Sequence, residues 1–336
     1  MANSTIYDVA KMAGVSPATV SRFVNQSSPI DKLKSSRIRV AIDQLGYHPR
    51  KRLNPEQKAL KIGILLPSCD CPFSNKILSG IKNFAKISQS HLITECANWQ
   101  QPQEIQHLKY FRSLNLDGVI IILGLLPVHE VQAILGKIPV LFSCRKESPE
   151  AQTLNINNLV GGKMATNHLL QLGHTRIAYL KGPSGTFDAE CRLEGYKQSL
   201  QDAGLDIDTS LIIDGGFSQQ SGLMATRHLL QSGTDFTAIF AANDHSAFGA
   251  MQALNQHGLK VPDDISVVGF DDHEMCPYFI PQLTTVRQPL FEFGRLAFQS
   301  IQSTIIKKTI DFPLPPFELV VRKSTARMMA PSTEHP

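Results

Sequence analysis

Apolar positions in this chain follow two different patterns, and the change from one to the other falls near residue 62. In the first stretch, Ile6, Val9, Ala10 and Ala13 recur at i, i+3, i+4 and i+7, which predicts a short helix with one apolar stripe behind an N-cap at Thr5. Gly14 can take the left-handed conformation that ends such a helix, and Ser16 with Pro17 supplies the cap and first turn of a second. That second helix turns Val20, Phe23 and Val24 inward and leaves Ser16, Thr19, Ser21, Arg22 and Asn25 outward. A third segment repeats the helical spacing with Ile38, Ala41, Ile42 and Leu45, closed by Gly46, so three short helices can bury one common core.

From Ile62 the pattern becomes short apolar runs separated by amphipathic stretches. Ile62 to Leu66, Leu92 to Thr94, Gly118 to Leu123 and Ile138 to Phe142 read as buried strands, with helices near Asn75 to Ile87, Glu104 to Leu114 and Val128 to Leu135 between them. A second series places strands near Ile177 to Leu180, Leu211 to Ile213, Ala238 to Ala241 and Ile265 to Phe270. Alternation of this kind predicts parallel sheets covered on both faces, and two series predict two lobes. The stretches Met164 to Gln171 and Met224 to Gln231 nearly repeat and read as two uses of one helix type.

Charge adds what the periodicity lacks. Residues 1 to 61 hold 11 Lys or Arg against 4 Asp or Glu, a balance of +7, while the remainder holds 22 against 25, a balance of −3. The basic excess is therefore confined to the three-helix head, where a phosphate backbone would respond to it by counterion release. Such a helix pair, with short polar groups and one guanidinium outward, has the chemistry of a recognition helix in a major groove. Residues 50 to 61, beginning Arg50-Lys51-Arg52-Leu53-Asn54-Pro55, read as a basic, proline-broken linker.

The expected organisation is a head at 1–49, a linker at 50–61, a two-lobed body at 62–330 and a tail at 331–336. The longest apolar runs fall far short of the roughly 20 residues a helix needs to cross a bilayer, and no secretion signal precedes the head, so the expected location is the cytoplasm, at the nucleoid. Six scattered cysteines then read as reduced thiols, with metal binding by Cys69 and Cys71 as the minor alternative. No cofactor is expected.

Ligands of open parallel sheets bind beyond the carboxyl ends of the strands. There the sequence places Phe73 and Ser74, Cys144 and Arg145, Phe217, Asn243 and Asp244, and Asp271 and Asp272, with Arg192 shortly before the Gly195-Tyr196 pair. An aromatic face, a guanidinium, an amide and a carboxylate suit a polar ring.

The run Thr5-Ile6-Tyr7-Asp8-Val9-Ala10, then Ala13-Gly14-Val15-Ser16, Thr19-Val20-Ser21-Arg22, Asn25 and Leu45-Gly46-Tyr47-His48-Pro49 resembles the headpiece of the lac/gal repressor family. The body motifs Arg192 to Tyr196, Asn243-Asp244 to Gly249, and Val261 to Asp272 are similar to that family in order and spacing. The resemblance implies a helix-turn-helix head on a two-lobed α/β body like that of periplasmic binding proteins, pairing as a homodimer on an inverted-repeat operator in double-stranded DNA. It implies DNA contacts from Thr5, Tyr7, Ser16, Pro17, Ala18, Thr19, Ser21, Arg22, Asn25, Tyr47, Arg50, Lys51 and Leu53, with Arg22 on guanine and Pro17 and Ala18 setting preference. It implies effector contacts from Phe73, Ser74, Arg145, Arg192, Phe217, Asn243 and Asp271, the effector being a sugar or, alternatively, a purine or nucleoside.

Two departures stand out. Cys144 and Asn157 replace aspartates frequent in similar proteins, and Pro55 interrupts the expected minor-groove hinge helix. In the linker, Leu53 as a wedge, a displaced turn capped by Asn54, and a flexible basic tether all stay open. An enzyme built on Asp271, Asp272, His273 and Glu274 and a transport receptor are the rival classes. The first lacks any phosphate-loop or dinucleotide fingerprint, and the second has no use for a basic head. After Val321 no leucine heptads suggest a tetramer.

Overall fold

The computed structural model describes residues 5–17, 19, 20, 23, 31–45, 59–308, 313 and 316–328. The chain divides into two compact units, Met1–Lys58 and Ala59–Pro336.

In the first unit, helix α1 (Ile6–Ala13) starts at a capping box. The Thr5 hydroxyl accepts from the Asp8 amide at 3.4 Å while the Asp8 carboxylate accepts from the Thr5 amide at 2.8 Å. Gly14 ends the helix at φ +65°, letting Val15 N–H reach the Ala10 carbonyl at 3.0 Å. Ser16 Oγ accepts from Thr19 N–H at 3.2 Å, and Pro17, Thr19, Val20 and Phe23 are helical. Helix α2 (Lys32–Leu45) brings Ile38 and Ala41 onto Val9, Ala10, Ala13 and Val20, with Phe23, Ile42 and Leu45 packed at the rim. The predicted stripes thus form one core. Val24, Gly46 and linker residues 50–58 lie outside the described residues, as does the tail.

The second unit contains two sheets. The first, in order β2-β1-β3-β4-β5, is parallel throughout: β1 Lys61–Leu66, β2 His91–Cys96, β3 Gly118–Ile122, β4 Val140–Ser143 and β5 Gln152–Leu154. Helices α3 (Pro72–Ile87), α4 (Gln101–Ser113) and α5 (Val128–Leu135) connect it. The second sheet runs β11-β10-β9-β8-β6-β7, from β6 Ile177–Lys181, β7 Ile212–Asp214, β8 Ala238–Ala241, β9 Ser266–Phe270, β10 Thr284–Arg287 and β11 Glu318–Val320. Only the β10/β11 pair is antiparallel among its described ladders. Helices α6 (Asn158–Gln171), α7 (Phe187–Asp202), α8 (Gln219–Gln231) and α9 (Asp244–Gln256) belong to this second lobe.

Among the described elements the chain crosses between lobes three times. It passes from β5 to α6, from β10 back to α10 (Leu290–Ile305), and from α10 to β11. Helix α10 buries Leu290, Phe293, Ala297, Phe298 and Ile301 in the first lobe's core, with the Phe298 ring 5.6 Å from that of Phe84. The two near-repeated stretches do share one local chemistry: Thr166 Oγ1 donates to the Gly162 carbonyl and Thr226 Oγ1 to the Gly222 carbonyl, both at 2.9 Å.

Helices α6 and α7 approach so closely that a side chain on Gly162 would collide with the Arg192 backbone, and one on Gly195 with the backbone of Leu159 and Lys163. Strands β5, β10 and β11 and helix α10 extend the predicted pattern. β5 and β11 have three residues each, and β10 buries Thr284 and Thr285, whose hydroxyls are hydrogen-bonded, so none carries an apolar run.

The expectation that all six cysteines are reduced thiols is corrected for two of them. Cys69 and Cys96 form a disulfide with Cα atoms 5.8 Å apart, leaving Cys71, Cys144, Cys191 and Cys276 free. Parallel pairing of Leu66 with Cys96 sets the ends of β1 and β2 side by side, so Cys69 three residues later meets a partner 27 residues away.

Proteolysis without reductant should therefore yield a peptide pair joined through Cys69 and Cys96; recovery of both as alkylated single peptides contradicts the assignment. Gly162→Ala should lower stability in urea by about 1–3 kcal/mol through overpacking of α6 on α7. An unchanged midpoint would mean that the helices are farther apart than described.

Candidate functional site

Of the predicted DNA-contact residues, Thr5, Tyr7, Ser16, Pro17 and Thr19 are among the described residues. Tyr7 is 70% exposed although its neighbours Val9 and Ala10 are buried, so α1 packs with its aromatic edge turned outward. Thr5 and Ser16 are exposed and Pro17 and Thr19 half-buried. The Ser16 and Thr19 hydroxyls lie 2.8 Å apart. Hydrogen bonds from Thr5 hold the Asp8 carboxyl below its usual value, which keeps a negative charge on the first turn of α1. Ala18, Ser21, Arg22, Asn25, Tyr47, Arg50, Lys51 and Leu53 lie outside the described residues.

In the body, the strand ends of the second lobe gather around one guanidinium. Arg192, 3% exposed on α7, donates from Nε to Asn158 Oδ1 at 2.8 Å and from Nη1 to the Ala242 carbonyl at 2.5 Å. Its carbon lies 3.9 Å from the Phe270 ring centroid and 5.8 Å from that of Phe217, distances at which a cation is attracted to a ring face. Its Nη2 stands 3.7 Å from Asp271 Oδ1, which also accepts from Gln288 Nε2 at 2.6 Å.

One turn before Arg192 on the same helix, Asp188 is buried, and the Cys144 thiol meets its carboxylate from the first lobe. Burial pushes the Asp188 carboxyl up, against the pull of Arg192, and does the same to Asp271. Burial, reinforced by the Asp188 charge, raises the Cys144 thiol well above its ordinary value. Behind them Asp244 is pushed up to about 7 by burial and by the charge of Asp271, although Thr285 Oγ1, His273 N–H and Cys276 Sγ all donate to it.

Backbone geometry marks the same places. Leu123, Cys144 and Asp271, at or just past the ends of β3, β4 and β9, have φ of +53°, +59° and +109°. Side chains other than glycine rarely adopt such angles, and structures hold them where the surroundings over-determine them.

Arg192, Phe217, Asn243 and Asp271 are thus brought together, the Asn243 amide donating to the Phe217 carbonyl at 3.1 Å. Asn243 Oδ1 caps α9, accepting from Ser246 N–H and its hydroxyl. Phe73, Ser74 and Arg145 make their contacts within the first lobe. Phe73 packs on that lobe's core, Ser74 Oγ donates to the Cys71 carbonyl, and Arg145 Nη2 donates to the Leu126 carbonyl, its guanidinium 4.9 Å from the Phe142 ring.

Sequence reasoning missed Asp188, Asn158 and Gln288. The i, i+4 spacing of Asp188 and Arg192 was a usable signal; Gln288 follows β10, a strand without an apolar run. The acidic pair of the rival enzyme reading separates: Asp272 points to Arg287 and Arg322 at 2.7 and 2.6 Å. Burial opposes its ionisation, yet those two hydrogen bonds keep its carboxyl below the ordinary value.

Comparison with known proteins agrees with both units. The model of bacterial regulatory proteins of the lacI family matches residues 5–50, and that of a periplasmic binding protein-like domain matches residues 166–325. The ribose operon repressor of Escherichia coli (strain K12) is 31% identical, over 91% of this chain and 94% of its own. The transcriptional repressor PurR of Photobacterium profundum is 30% identical, over 96% and 98%. A crystal structure of the lac repressor dimer bound to operator and the anti-inducer ONPF superposes with a TM-score of 0.73 at 29% identity, covering 97% of this chain and all of that one. With a capped helix-turn-helix head and a two-lobed body of largely parallel sheets, this chain belongs to the lacI family of bacterial regulatory proteins and is a DNA-binding transcription regulator.

Proposed function

We propose that the protein is a homodimeric repressor whose two heads read the halves of an inverted repeat in double-stranded DNA, and whose body, residues 62–330, pairs the subunits and senses a small carbohydrate. It acts by binding rather than by chemistry, in the cytoplasm at the nucleoid. The observation that carries the reading is the convergence of Arg192, Phe217, Asn243 and Asp271 at the strand ends of a body joined in one chain to a basic head. These four, with Phe73, Ser74 and Arg145 from the first lobe, are the proposed effector residues.

On the head, Tyr7, Ser16, Pro17, Thr19 and Arg22 are the proposed contacts, Arg22 on a guanine edge and the basic Arg50 and Lys51 on phosphates. One short helix reads too few bases to compete with a genome, so two linked heads are needed for selectivity. Support comes from the solved lac repressor, a dimer on its operator, and from the relative named for the ribose operon. A purine or nucleoside effector is the second reading, supported by the PurR relative and by the Phe217 ring beside Arg192.

The DNA reading is tested by selecting duplexes from a random pool and measuring fluorescence anisotropy at moderate salt. The wild-type chain should prefer its selected inverted repeat over random duplex by at least ~1,000-fold. Arg22→Ala should forfeit about 1–3 kcal/mol of that preference and leave random-duplex binding little changed. Indifference of the wild type to base order contradicts the reading. Sedimentation should give a dimer, and a monomer at micromolar concentration contradicts the pairing.

A further inference from the structure

The Cys69–Cys96 bond joins two strand ends that hydrogen bonds already hold together. Beyond the β1/β2 ladder, Ala97 N–H donates to the Leu66 carbonyl and Trp99 N–H to the Pro67 carbonyl, both at 2.9 Å. The first lobe also carries two apolar cores, so it does not depend on a staple as a small disulfide scaffold does. Cys69 is exposed and Cys96 half-buried, which opens the bond to attack from solvent, and the free Cys71 lies two residues on. In a reducing compartment, such as the cytoplasm proposed for this protein, disulfides are transient and serve catalysis or sensing. Exposed ones are the labile ones.

What the bond does hold is the start of α3. Asn75 Nδ2 reaches back to the Cys69 carbonyl at 2.9 Å, and Ser74 Oγ donates to the Cys71 carbonyl at 3.1 Å. The next residue, Lys76, donates its ammonium to the Asp272 carbonyl of the second lobe at 2.9 Å. Asp272 is itself fixed by Arg287 and Arg322. A short path of covalent and hydrogen bonds thus runs from the disulfide through Asn75 and Lys76 to the facing lobe. On the other side of the bond, Asn98 and Trp99 hold φ of +48° and +57°, angles that their surroundings must enforce.

We propose that Cys69 and Cys96 form a thiol–disulfide switch that sets operator affinity. The oxidised form anchors the first turn of α3 and the Lys76 contact across the seam; the reduced form releases that turn and shifts the balance between arrangements of the lobes. This rests on the reading that the body governs the head, and it adds an input independent of any effector. Opening takes two electrons from a thiol donor. One thiolate attacks Cys69 Sγ, the bond to Cys96 breaks, Cys96 leaves as a thiolate and takes up a proton, and a second donor thiol displaces Cys69, leaving the donor as a disulfide. Closing takes a two-electron oxidant such as hydrogen peroxide: the Cys69 thiolate becomes a sulfenic acid with release of hydroxide, and the Cys96 thiolate displaces a second hydroxide to form the bond.

The test uses the full chain and the selected inverted-repeat duplex, with no effector. Millimolar reduced glutathione should open the bond in the native protein within about an hour. Opening is read by alkylation of Cys69 and Cys96 and followed through the emission of Trp99, the chain's single tryptophan. A bond that yields only after denaturation overturns the proposal. Amide hydrogen exchange in the first turns of α3 should rise on reduction, and unchanged exchange there overturns it as well.

Operator affinity of the oxidised and reduced wild type should differ by at least ~5-fold, reversibly on adding peroxide; a smaller difference overturns the switch. Cys69→Ser, and independently Cys96→Ser, should keep one affinity with or without reductant, while Cys71→Ser keeps the difference and Lys76→Met narrows it. A difference that survives in folded Cys69→Ser or Cys96→Ser, vanishes in Cys71→Ser, or stays whole in Lys76→Met contradicts the assigned path. The wild-type comparison needs no variant, so it decides the matter even where one does not fold. Equal preference for the repeat in both forms removes the switch and leaves the DNA reading standing, whereas no preference in either form sinks that reading itself.

Discussion

A guanidinium taken out of water must be surrounded by groups that replace it, and the body of this protein is arranged around meeting that demand at Arg192. The side chain is 3% exposed, with one donor on Asn158, one on the Ala242 carbonyl, Phe270 beneath its plane and Asp271 beside it. Each partner comes from a different place: the first residue of α6, the residue after β8, the last of β9 and the residue after it. The close approach of α6 and α7 at Gly162 and Gly195 brings those places within reach of one side chain. A charge so held is costly to disturb, because removing one partner leaves the others buried and unpaired.

The same arrangement explains how a small molecule can matter to the whole body. Asn158 follows the first crossing between lobes, and Gln288 lies in the second, between β10 and α10. Cys144 and Asp188 meet from opposite lobes. A ligand seated on the proposed effector residues Arg192 and Asp271 would touch groups hydrogen-bonded to Asn158 and Gln288, beside those crossings. It favours one arrangement of the lobes by the difference in its affinity for the alternatives. Strained backbone at Cys144 and Asp271 lies just past two strand ends at that seam, which is where function tolerates such conformations.

Much of this was legible in the sequence wherever local chemistry decided it. Thr5, Gly14 and Ser16 announce the start, stop and restart of helices, and Val9, Ala10, Ala13, Ile38 and Ala41 keep a helical period, so the head's core follows directly. β1, β3, β8 and β9 are almost wholly buried and read as continuous apolar runs. Legibility failed where tertiary pairing decides. β10 buries threonines whose hydroxyls are satisfied by Asp244 and Thr325, so it carries no apolar signature, and Gln288 was lost with it. Asp188 lies in the acidic first turn of α7, where a carboxylate ordinarily faces solvent near the helix N-terminus, yet tertiary packing leaves it 4% exposed. The Cys69–Cys96 bond depends on the β1/β2 register, which no spacing of two cysteines reveals.

The central claim, that Arg192 is held against an excess of buried carboxylate, is tested most directly by a double-mutant cycle in denaturant on the apo protein. Arg192→Met should cost about 3–5 kcal/mol, because Asp188 and Asp271 lose their shared counter-charge. Adding Asp188→Asn should recover a substantial part of that loss, with a coupling above ~1 kcal/mol. Additive effects, or an Arg192→Met protein as stable as the wild type, would contradict the account.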